Sequence, residues 1–304
     1  MKKYYTRACN FHYGTAAKNL IKKNLALSLC GNKDIAFNNI EILSRDKPTK
    51  RINIKDIKKL PNQIKKIILL DLKKITSKRK NLNKYTNISE PLIMGVLNLT
   101  PDSFSDGGLY NKSNRAFHHI ENMISSGADI IDIGGESTRP GSKDIPHKIE
   151  WKRLENIISN FKKKFPKVFL SIDTRKSEIM LRAIKHKSDL INDVSGFNHD
   201  LKAIEKIKNY DVWKVLHHMQ GTPNNMQINP TYKNILLDIY DFFEKKINVD
   251  FKKYRYKKFI IDPGIGFGKN LTHNLLLMHN ISLFHSLGFP LLIGTSRKKF
   301  INQI

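Results

Sequence analysis

The sequence predicts an α/β protein built as a TIM-type (β/α)8 barrel, with seven of its eight strands present and a small N-terminal α+β extension before it. Three observations lead to this fold class. Seven near-continuous apolar runs, rich in Ile, Val and Leu, fit strands of a parallel sheet that is buried on both faces. Helical patterns separate these runs. Nearly every run ends in polar residues or glycine, as expected where parallel strands reach one rim of a barrel.

The first part of the chain differs from the rest in texture. Residues 1–88 are rich in Lys, Asn and Ile and contain no dense polar motif, so they form the predicted extension, and residues 89–304 form the predicted barrel domain. Within the extension we expect short strands at 35–37 and 40–43 and a helix over 62–74. The run over 74–89 is typical of a solvated linker.

The predicted barrel strands follow the apolar runs. They lie at residues 92–97, 129–133, 168–172, 190–194, 213–216, 259–261 and 291–293. After the first strand, Ala116, Ile120 and Met123 share one helix face, with Ser113 as the expected N-cap and Gly127 as the stop signal. Repetition of this strand and helix unit favours a barrel over an open doubly wound sheet.

Composition limits the possible partners and location. The chain has 304 residues with a formal net charge of +27, but its basic residues are spread along the chain rather than set in one stripe. We therefore expect neither a nucleic-acid partner nor a membrane partner. Cys9 and Cys30 lack metal-site spacing, and the first residues show no signal peptide, so the expected location is the cytoplasm.

Four polar residues at separate strand ends indicate a binding site for a flat heterocycle. Asp173, Asn192, Asp262 and Lys298 would converge at one mouth of the barrel. A carboxylate accepts two parallel hydrogen bonds from an amino-pyrimidinone edge, an Asn donates and accepts at once, and a Lys reaches a carbonyl or ring nitrogen. Each residue alone reads more readily as a cap or an ion-pair partner; their recurrence at equivalent positions argues for a site.

Two further loops add binding chemistry. Arg139, beside Ser137 and Thr138 on a glycine-bounded loop, suits an anion such as a phosphate or carboxylate. Phe104 and Phe267 each lie in a polar or glycine-rich loop. They could sandwich an aromatic ring, or either could be a hydrophobic plug.

Seven segments together resemble the dihydropteroate synthase family, whose members are inhibited by sulfonamides. They are G-V-L-N-L-T-P-D-S-F-S-D-G-G, D-I-I-D-I-G-G-E-S-T-R-P-G, S-I-D-T, I-N-D-V-S-G, M-Q-G-T-P, I-D-P-G-I-G-F-G-K and G-T-S-R-K, in family order from Pro91 to about residue 299. The resemblance implies condensation of 6-hydroxymethyl-7,8-dihydropterin pyrophosphate with p-aminobenzoate by a dissociative route. It also implies Mg²⁺ as the cofactor and small-molecule substrates as the partners.

The resemblance assigns roles to residues of this sequence. The catalytic residues would be Asp106, Asp173, Arg139 and Lys298. The pterin would be held by Asp173, Asn192, Met219, Asp262 and Lys298. The p-aminobenzoate and pyrophosphate site would consist of Phe104, Thr138, Arg139, Pro140, Phe267 and Ser296. Asn98 would bind the Mg²⁺.

One part of the family pattern is absent from this sequence. The family's eighth strand ends in an Arg-x-His motif, whereas the sequence stops at Ile304, so we expect this sequence to be a fragment. A homodimer is expected if a full-length chain exists. Two alternatives are kept: a truncated, non-catalytic pterin-binding remnant, and a methyltransferase barrel acting on methyltetrahydrofolate, which should lack the S-T-R-P-G loop.

Overall fold

The N-terminal part folds into an antiparallel sheet with two helices. The computed structural model describes residues 3–88, 90–100, 109–138, 141–252, 257–298 and 300–301, apart from the side chains of residues 109–112. The elements in this part are β1 (Tyr5–Tyr13), α1 (Gly14–Lys22), β2 (Leu27–Leu29), β3 (Asn32–Leu43), β4 (Lys50–Asn53), a 3₁₀ helix (Ile54–Lys59) and α2 (Asn62–Thr76). β3 pairs with β1 on one side and with β2 and β4 on the other. The two short strands predicted at 35–37 and 40–43 are thus one long strand.

A second part alternates strands and helices as the apolar runs predict. Its strands are β5 (Met94–Asn98), β6 (Ile130–Gly134), β7 (Phe169–Asp173), β8 (Leu190–Asp193), β9 (Trp213–His217) and β10 (Phe259–Asp262). Its helices are α3 (Leu109–Ser125), α4 (His147–Lys164), α5 (Ser177–Lys185), α6 (Ala203–Ile207), α7 (Ile235–Lys245) and α8 (Leu271–His279). A π-helical turn (Lys246–Asp250) follows α7, and a 3₁₀ segment (Ile281–Leu287) follows α8.

The six barrel strands form one parallel sheet in sequence order, from β5 to β10. This order fits a barrel, because a doubly wound sheet would reverse at a switch point. The α/β class is confirmed. The segment predicted as a seventh strand lies parallel beside β10 through one bridge between Ile261 and Leu291. Two backbone hydrogen bonds of 2.9 Å, from Ile261 N to Pro290 O and from Leu292 N to Ile261 O, hold it there.

Helix α3 begins earlier than the sequence predicts. Leu109 already has helical backbone, so Ser113 lies in the second turn, and its assignment as the N-cap is wrong. Its hydroxyl instead accepts a 2.7 Å hydrogen bond from Asn156 Nδ2 on α4. The stop at Gly127 is confirmed, since Gly127 adopts a φ of +98° just after the helix, a conformation that residues with a Cβ rarely adopt.

The segment expected to be a solvated linker instead closes the amino-terminal end of the barrel. Leu82 is only 6% exposed and packs with Ile130, Phe169 and Trp213, which open their strands. The indole of Trp213 donates a 2.8 Å hydrogen bond to the carbonyl of Leu82. The linker prediction is therefore wrong at this position, because the few, scattered apolar residues of this polar run give too weak a periodic signal to be noticed.

The N-terminal sheet packs against the outer helices of the barrel. Ser282 donates a 2.8 Å hydrogen bond to the carbonyl of Ala8 on β1. The Tyr5 ring lies edge-on to Tyr240 of α7, with centroids 5.1 Å apart. Arg45 makes ion pairs of 2.7 and 2.8 Å with Asp238 and Asp241 of the same helix. No helix among the described residues is long and apolar enough to cross a bilayer.

Truncation of Leu82 tests its role at the barrel end. We expect Leu82→Ala to lower the free energy of unfolding by about 2–4 kcal/mol, because it leaves a cavity against Trp213 that cannot collapse freely. The matched control is Tyr85→Ala, since Tyr85 is 52% exposed in the same segment, and it should change stability by less than about 0.5 kcal/mol. Chemical denaturation measures both variants; equal effects would place Leu82 at the surface.

Candidate active site

One row of residues crosses the carboxyl ends of the first four barrel strands. Asn98 on β5 pairs in register with Gly134 on β6, Gly134 with Asp173 on β7, and Asp173 with Asn192 on β8. A Cβ at Gly134 would lie 3.4 Å from both Asn98 Oδ1 and Asp173 Oδ2. The missing side chain therefore leaves a space flanked by these two oxygens, at the rim where the sequence predicts the site.

Two buried oxygens in this row are unsatisfied. Asp173 Oδ1 and Asn192 Oδ1 have no hydrogen-bond partner within the part of the chain that the structure describes. More than nine in ten buried polar groups in proteins are paired, so each exception needs an explanation. Both atoms are acceptors on neighbouring strands, and the simplest explanation is a ligand that supplies N–H donors.

Asp132 lies beneath this row and supports it. It is 4% exposed and one pleat below Gly134 on β6. Asp132 Oδ1 accepts a 2.6 Å hydrogen bond from Ser171 Oγ, and Oδ2 accepts one of 2.9 Å from Asn192 Nδ2. Sequence reasoning missed Asp132; the available signal was a lone carboxylate inside the apolar run D-I-I-D-I-G-G.

The crowded carboxylates affect each other's protonation. Burial, followed by the charge of Asp132 and then of other nearby carboxylates, raises the pKa of Asp173 well above its ordinary value. Burial also raises the pKa of Asp132, while hydrogen bonds from Ser171 and Asn192 oppose that rise. Negative charge is therefore costly at this position, and a bound cation or N–H donor would lower that cost.

Asp262 closes the other side of the mouth. It is 8% exposed, and its Oδ1 accepts a 2.8 Å hydrogen bond from Gly264 N. Its Oδ2 lies 3.9 Å from His217 Nε2. Burial lowers the pKa of His217, and Nδ1 of this ring lies 2.8 Å from the carbonyl of Val194, so the neutral ring carries its proton on Nδ1. Nε2 then has no proton to donate, which leaves Asp262 Oδ2 open to another donor.

Lys298 and Phe267 lie against one another beside Asp262. The Lys298 ammonium is 4.1 Å from the centroid of the Phe267 ring, and that ring also packs edge-on against His217 at 4.6 Å. Burial lowers the pKa of Lys298, while the charge of Asp262 opposes this effect. A Cβ at Gly266, which has a φ of +82°, would lie 3.0 Å from Lys298 Cδ. Glycine at this position thus lets the Lys298 side chain lie close to the loop.

The remaining predicted site residues differ in their exposure. Met219 just after β9 and Thr138 after β6 are half-buried, whereas Ser296 and Asn98 are exposed. Phe104, Asp106, Arg139 and Pro140 lie outside the described residues. The proposed sandwich of Phe104 and Phe267 therefore stays a prediction, and Phe267 itself contacts Lys298 and His217.

Glu136 anchors both sides of the segment that holds Thr138 and Arg139. It is 3% exposed and accepts hydrogen bonds of 2.7 Å from Arg175 Nη2 and 2.6 Å from Lys176 Nζ. It also accepts a 3.1 Å hydrogen bond from the backbone N–H of Ile145, beyond the loop. Sequence reasoning missed this role, although the lone acidic residue in G-G-E-S-T-R-P-G was a visible signal.

The space beside Gly134 offers hard oxygen atoms to a metal ion. Among the described residues, no group of three or more His, Cys, Asp or Glu side chains is placed to hold an ion. Asn98 Oδ1 and the Asp173 carboxylate do flank one space. Mg²⁺ commonly takes one or two protein oxygens and fills its octahedron with water and phosphate oxygens. The donor chemistry therefore fits a magnesium–phosphate complex better than an ion caged by protein.

Comparison with known proteins identifies what this barrel is similar to. Residues 94–304 match the family described as pterin binding enzyme. A relative named dihydropteroate synthase from Escherichia coli (strain K12) is 38% identical over 219 residues, which cover 72% of this chain and 77% of that protein.

Solved structures give the same answer. Yersinia pestis dihydropteroate synthase in a sulfonamide drug complex superposes with a TM-score of 0.66 at 40% identity, covering 71% of this chain and 78% of that one. Xanthomonas albilineans dihydropteroate synthase with 4-aminobenzoic acid superposes with a TM-score of 0.64 at 34% identity, covering 70% and 76%. The matched portion is the barrel, and the N-terminal sheet lies outside the family match.

Because the pKa of Asp173 is raised, replacing its carboxyl group with a neutral amide should increase stability, and the size of the increase should depend on pH. The pKa of Asp173 in the folded chain exceeds its value of about 3.9 in the unfolded chain. At pH values between these two pKa values, the folded chain keeps a proton that the unfolded chain has lost. The free energy of unfolding therefore falls as the pH rises. Asp173→Asn removes this loss. Its melting temperature should exceed that of the wild type at pH 8, and the difference should shrink toward pH 5.

Thermal unfolding followed by circular dichroism at several pH values measures this difference. Asp46→Asn is the matched control for replacing a carboxylate with an amide at an exposed position. A constant difference for Asp173→Asn across the pH range would contradict the assignment of a buried, proton-holding carboxyl.

Proposed function

Because the chain belongs to the dihydropteroate synthase family of pterin-binding enzymes, we propose that the mouth formed by β5 to β10 is its substrate site. As a member of this family the chain is a transferase of folate biosynthesis, and the reaction joins 6-hydroxymethyl-7,8-dihydropterin pyrophosphate to p-aminobenzoate with release of pyrophosphate. The observation that carries the assignment of the site is the pair of buried, unsatisfied acceptors, Asp173 Oδ1 and Asn192 Oδ1.

The pterin lies among Asp173, Asn192, Asp262 and Lys298 in this proposal. Its pyrimidinone edge carries adjacent amino and ring N–H donors, which match carboxylate and amide acceptors. The open Oδ2 of Asp262 and the free oxygens on β7 and β8 supply such acceptors. Lys298 supplies a donor for the ring carbonyl or a ring nitrogen, and Met219 lines the pocket.

The p-aminobenzoate and pyrophosphate groups occupy the outer part of the mouth. Thr138, Phe267 and Ser296 would shape this part together with Phe104, Arg139 and Pro140. Arg139 supplies a cation for a carboxylate or phosphate. A structure of the X. albilineans relative contains 4-aminobenzoic acid, which supports a p-aminobenzoate subsite in this chain.

The reaction proceeds by departure of pyrophosphate before attack. The bond between the exocyclic methylene carbon and the pyrophosphate oxygen breaks, and the electron pair leaves on that oxygen. Asp173 stabilises the positive charge that is then delocalised into the pterin ring, and Asp106 is the second catalytic carboxylate of this proposal. The lone pair of the p-aminobenzoate nitrogen forms the new C–N bond, and that nitrogen then gives up a proton to water or to the released pyrophosphate. Such a site needs no protein nucleophile, because it only stabilises charge and positions substrates.

Asn98 would hold the Mg²⁺ in this proposal. The exposed Asn98 Oδ1 faces the space above Gly134, and the metal's role is to shield the charge on pyrophosphate. The homodimer expected from the resemblance and the cytoplasmic location expected from the sequence stay predictions; light scattering of the purified chain and fractionation of its host cells would check them.

Activity of the purified chain tests this function. With both substrates and Mg²⁺, we expect pyrophosphate and 7,8-dihydropteroate to appear in equal amounts. EDTA should suppress both products, and added Mg²⁺ should restore them. Pterin binding without turnover would instead support the non-catalytic remnant.

Removal of the Asp262 carboxylate tests the pterin clamp. Asp262→Ala should weaken binding of the pterin pyrophosphate by about a hundredfold, because a charge-assisted acceptor is worth roughly 1.5–3 kcal/mol. Titration calorimetry measures the affinity. Asp211→Ala, at a residue whose side chain is 85% exposed, is the control and should bind like the wild type. Unchanged affinity in Asp262→Ala would remove Asp262 from the clamp.

Arg139→Ala should separate the two subsites. We expect turnover and p-aminobenzoate use to fall by about tenfold or more, since a charged hydrogen bond to the substrate is lost. Pterin affinity should stay near the wild-type value. Lys143→Ala, at an exposed position just beyond the loop, controls for the loss of one positive charge. Equal losses of pterin binding and turnover would give Arg139 a different role.

A further inference from the structure

We propose that Asp132 is a positioning residue that fixes which way the Asn192 amide points, so that the site offers an oxygen acceptor there. The proposal rests on the pterin-binding role of Asn192 given above. Through this positioning, Asp132 makes the site select a ligand edge that carries N–H donors over an edge that carries carbonyl acceptors. Asp132 itself need not touch the ligand.

The contacts around Asp132 leave it little freedom. Asp132 is 4% exposed inside the barrel. Ser171, its register partner on β7, occupies Oδ1 at 2.6 Å, and Asn192 Nδ2 occupies Oδ2 at 2.9 Å. Two hydrogen bonds on opposite oxygens hold the carboxylate in one rotamer, with one oxygen aimed at the amide.

An amide group is nearly symmetric in shape, so its orientation is decided by its partners. A half-turn of Asn192 would bring Oδ1 against a carboxylate oxygen, placing two acceptors in contact. An unpaired buried acceptor and the lost charge-assisted hydrogen bond would both oppose that half-turn. Asp132 therefore keeps Nδ2 on its own side and leaves Oδ1 as the free atom.

The result is a pair of adjacent acceptors. Asn192 and Asp173 are register partners on neighbouring strands, and each has a free, buried Oδ1. A ligand with neighbouring N–H groups satisfies both atoms, whereas one that presents carbonyl oxygens satisfies neither. Selectivity for the donor-bearing edge then comes from a residue one pleat below the site.

A double-mutant cycle tests this coupling. The effect of Asp132→Asn on pterin affinity should have opposite signs in the wild-type background and in the Asn192→Asp background. Asp132→Asn alone should weaken binding of 6-hydroxymethyl-7,8-dihydropterin pyrophosphate, because the introduced amide can meet Asn192 in either orientation. Asn192→Asp alone should also weaken it, since a third carboxylate then joins Asp132 and Asp173. The double variant exchanges the two groups. The amide at position 132 then donates to the carboxylate at position 192, whose other oxygen again faces the ligand, so binding should recover by about tenfold or more over Asn192→Asp.

A matched control separates the hydrogen bond from the charge. The double variant with Asp132→Leu and Asn192→Asp also removes the negative charge at position 132. Its leucine cannot donate a hydrogen bond to the carboxylate at position 192. This double variant should therefore bind the pterin pyrophosphate less tightly than the exchanged pair. Titration calorimetry with the pterin pyrophosphate, without p-aminobenzoate, gives all affinities, and circular dichroism melts check the fold. If a single variant fails to fold, the exchanged pair carries the test by its own affinity, expected within about tenfold of the wild type.

The outcomes are separable. The proposal is supported if Asp132→Asn lowers the affinity for the pterin pyrophosphate in the wild-type background and raises it in the Asn192→Asp background. Weakening in both backgrounds, wild-type affinity in either single variant, or an exchanged pair that does not bind overturns it and leaves the pterin site standing. A wild-type chain that binds no pterin removes the proposed substrate site itself.

Discussion

The burial of two carboxyl groups and an amide side by side inside the barrel constrains the rest of this structure. Asp132, Asp173 and Asn192 come from three neighbouring strands, and two of their oxygens are unpaired among the described residues. An unpaired buried polar group costs on the order of 1–3 kcal/mol. Such a group is expected at a site where a ligand supplies its hydrogen-bond partner. The pKa of Asp173 is raised for the same reason, because burial penalises its charged form.

The scaffold must therefore hold these groups in place without their ligand. Register pairing along β5 to β8 aligns the row, and Glu136 ties the loop after β6 to Arg175 and Lys176. At the opposite end of the barrel, Leu82 and Trp213 fill the interior. The N-terminal sheet packs outside, against α7 and the segment after α8. Apolar packing thus fills one end of the barrel and leaves the polar mouth at the other.

Much of this arrangement could be predicted because two recurring features of the sequence specify it. Apolar runs of about five residues locate the strands, and the polar residue that ends each run locates the mouth, which is why Asp173, Asn192 and Asp262 were found. Asp132 and Glu136 were missed because their roles depend on cross-strand neighbours, which a single run does not reveal. Leu82 was missed because its partners are distant in sequence, and Ser113 was misassigned because α3 starts before its apolar stripe becomes regular.

A crystal structure of the chain with bound 6-hydroxymethyl-7,8-dihydropterin tests the central claim most directly. The account predicts ring or amino nitrogens of the pterin about 3 Å from both Asn192 Oδ1 and Asp173 Oδ1, a normal hydrogen-bond length, while Asn192 Nδ2 remains on Asp132. A pterin bound elsewhere, or one that leaves both oxygens without a donor, would contradict the account.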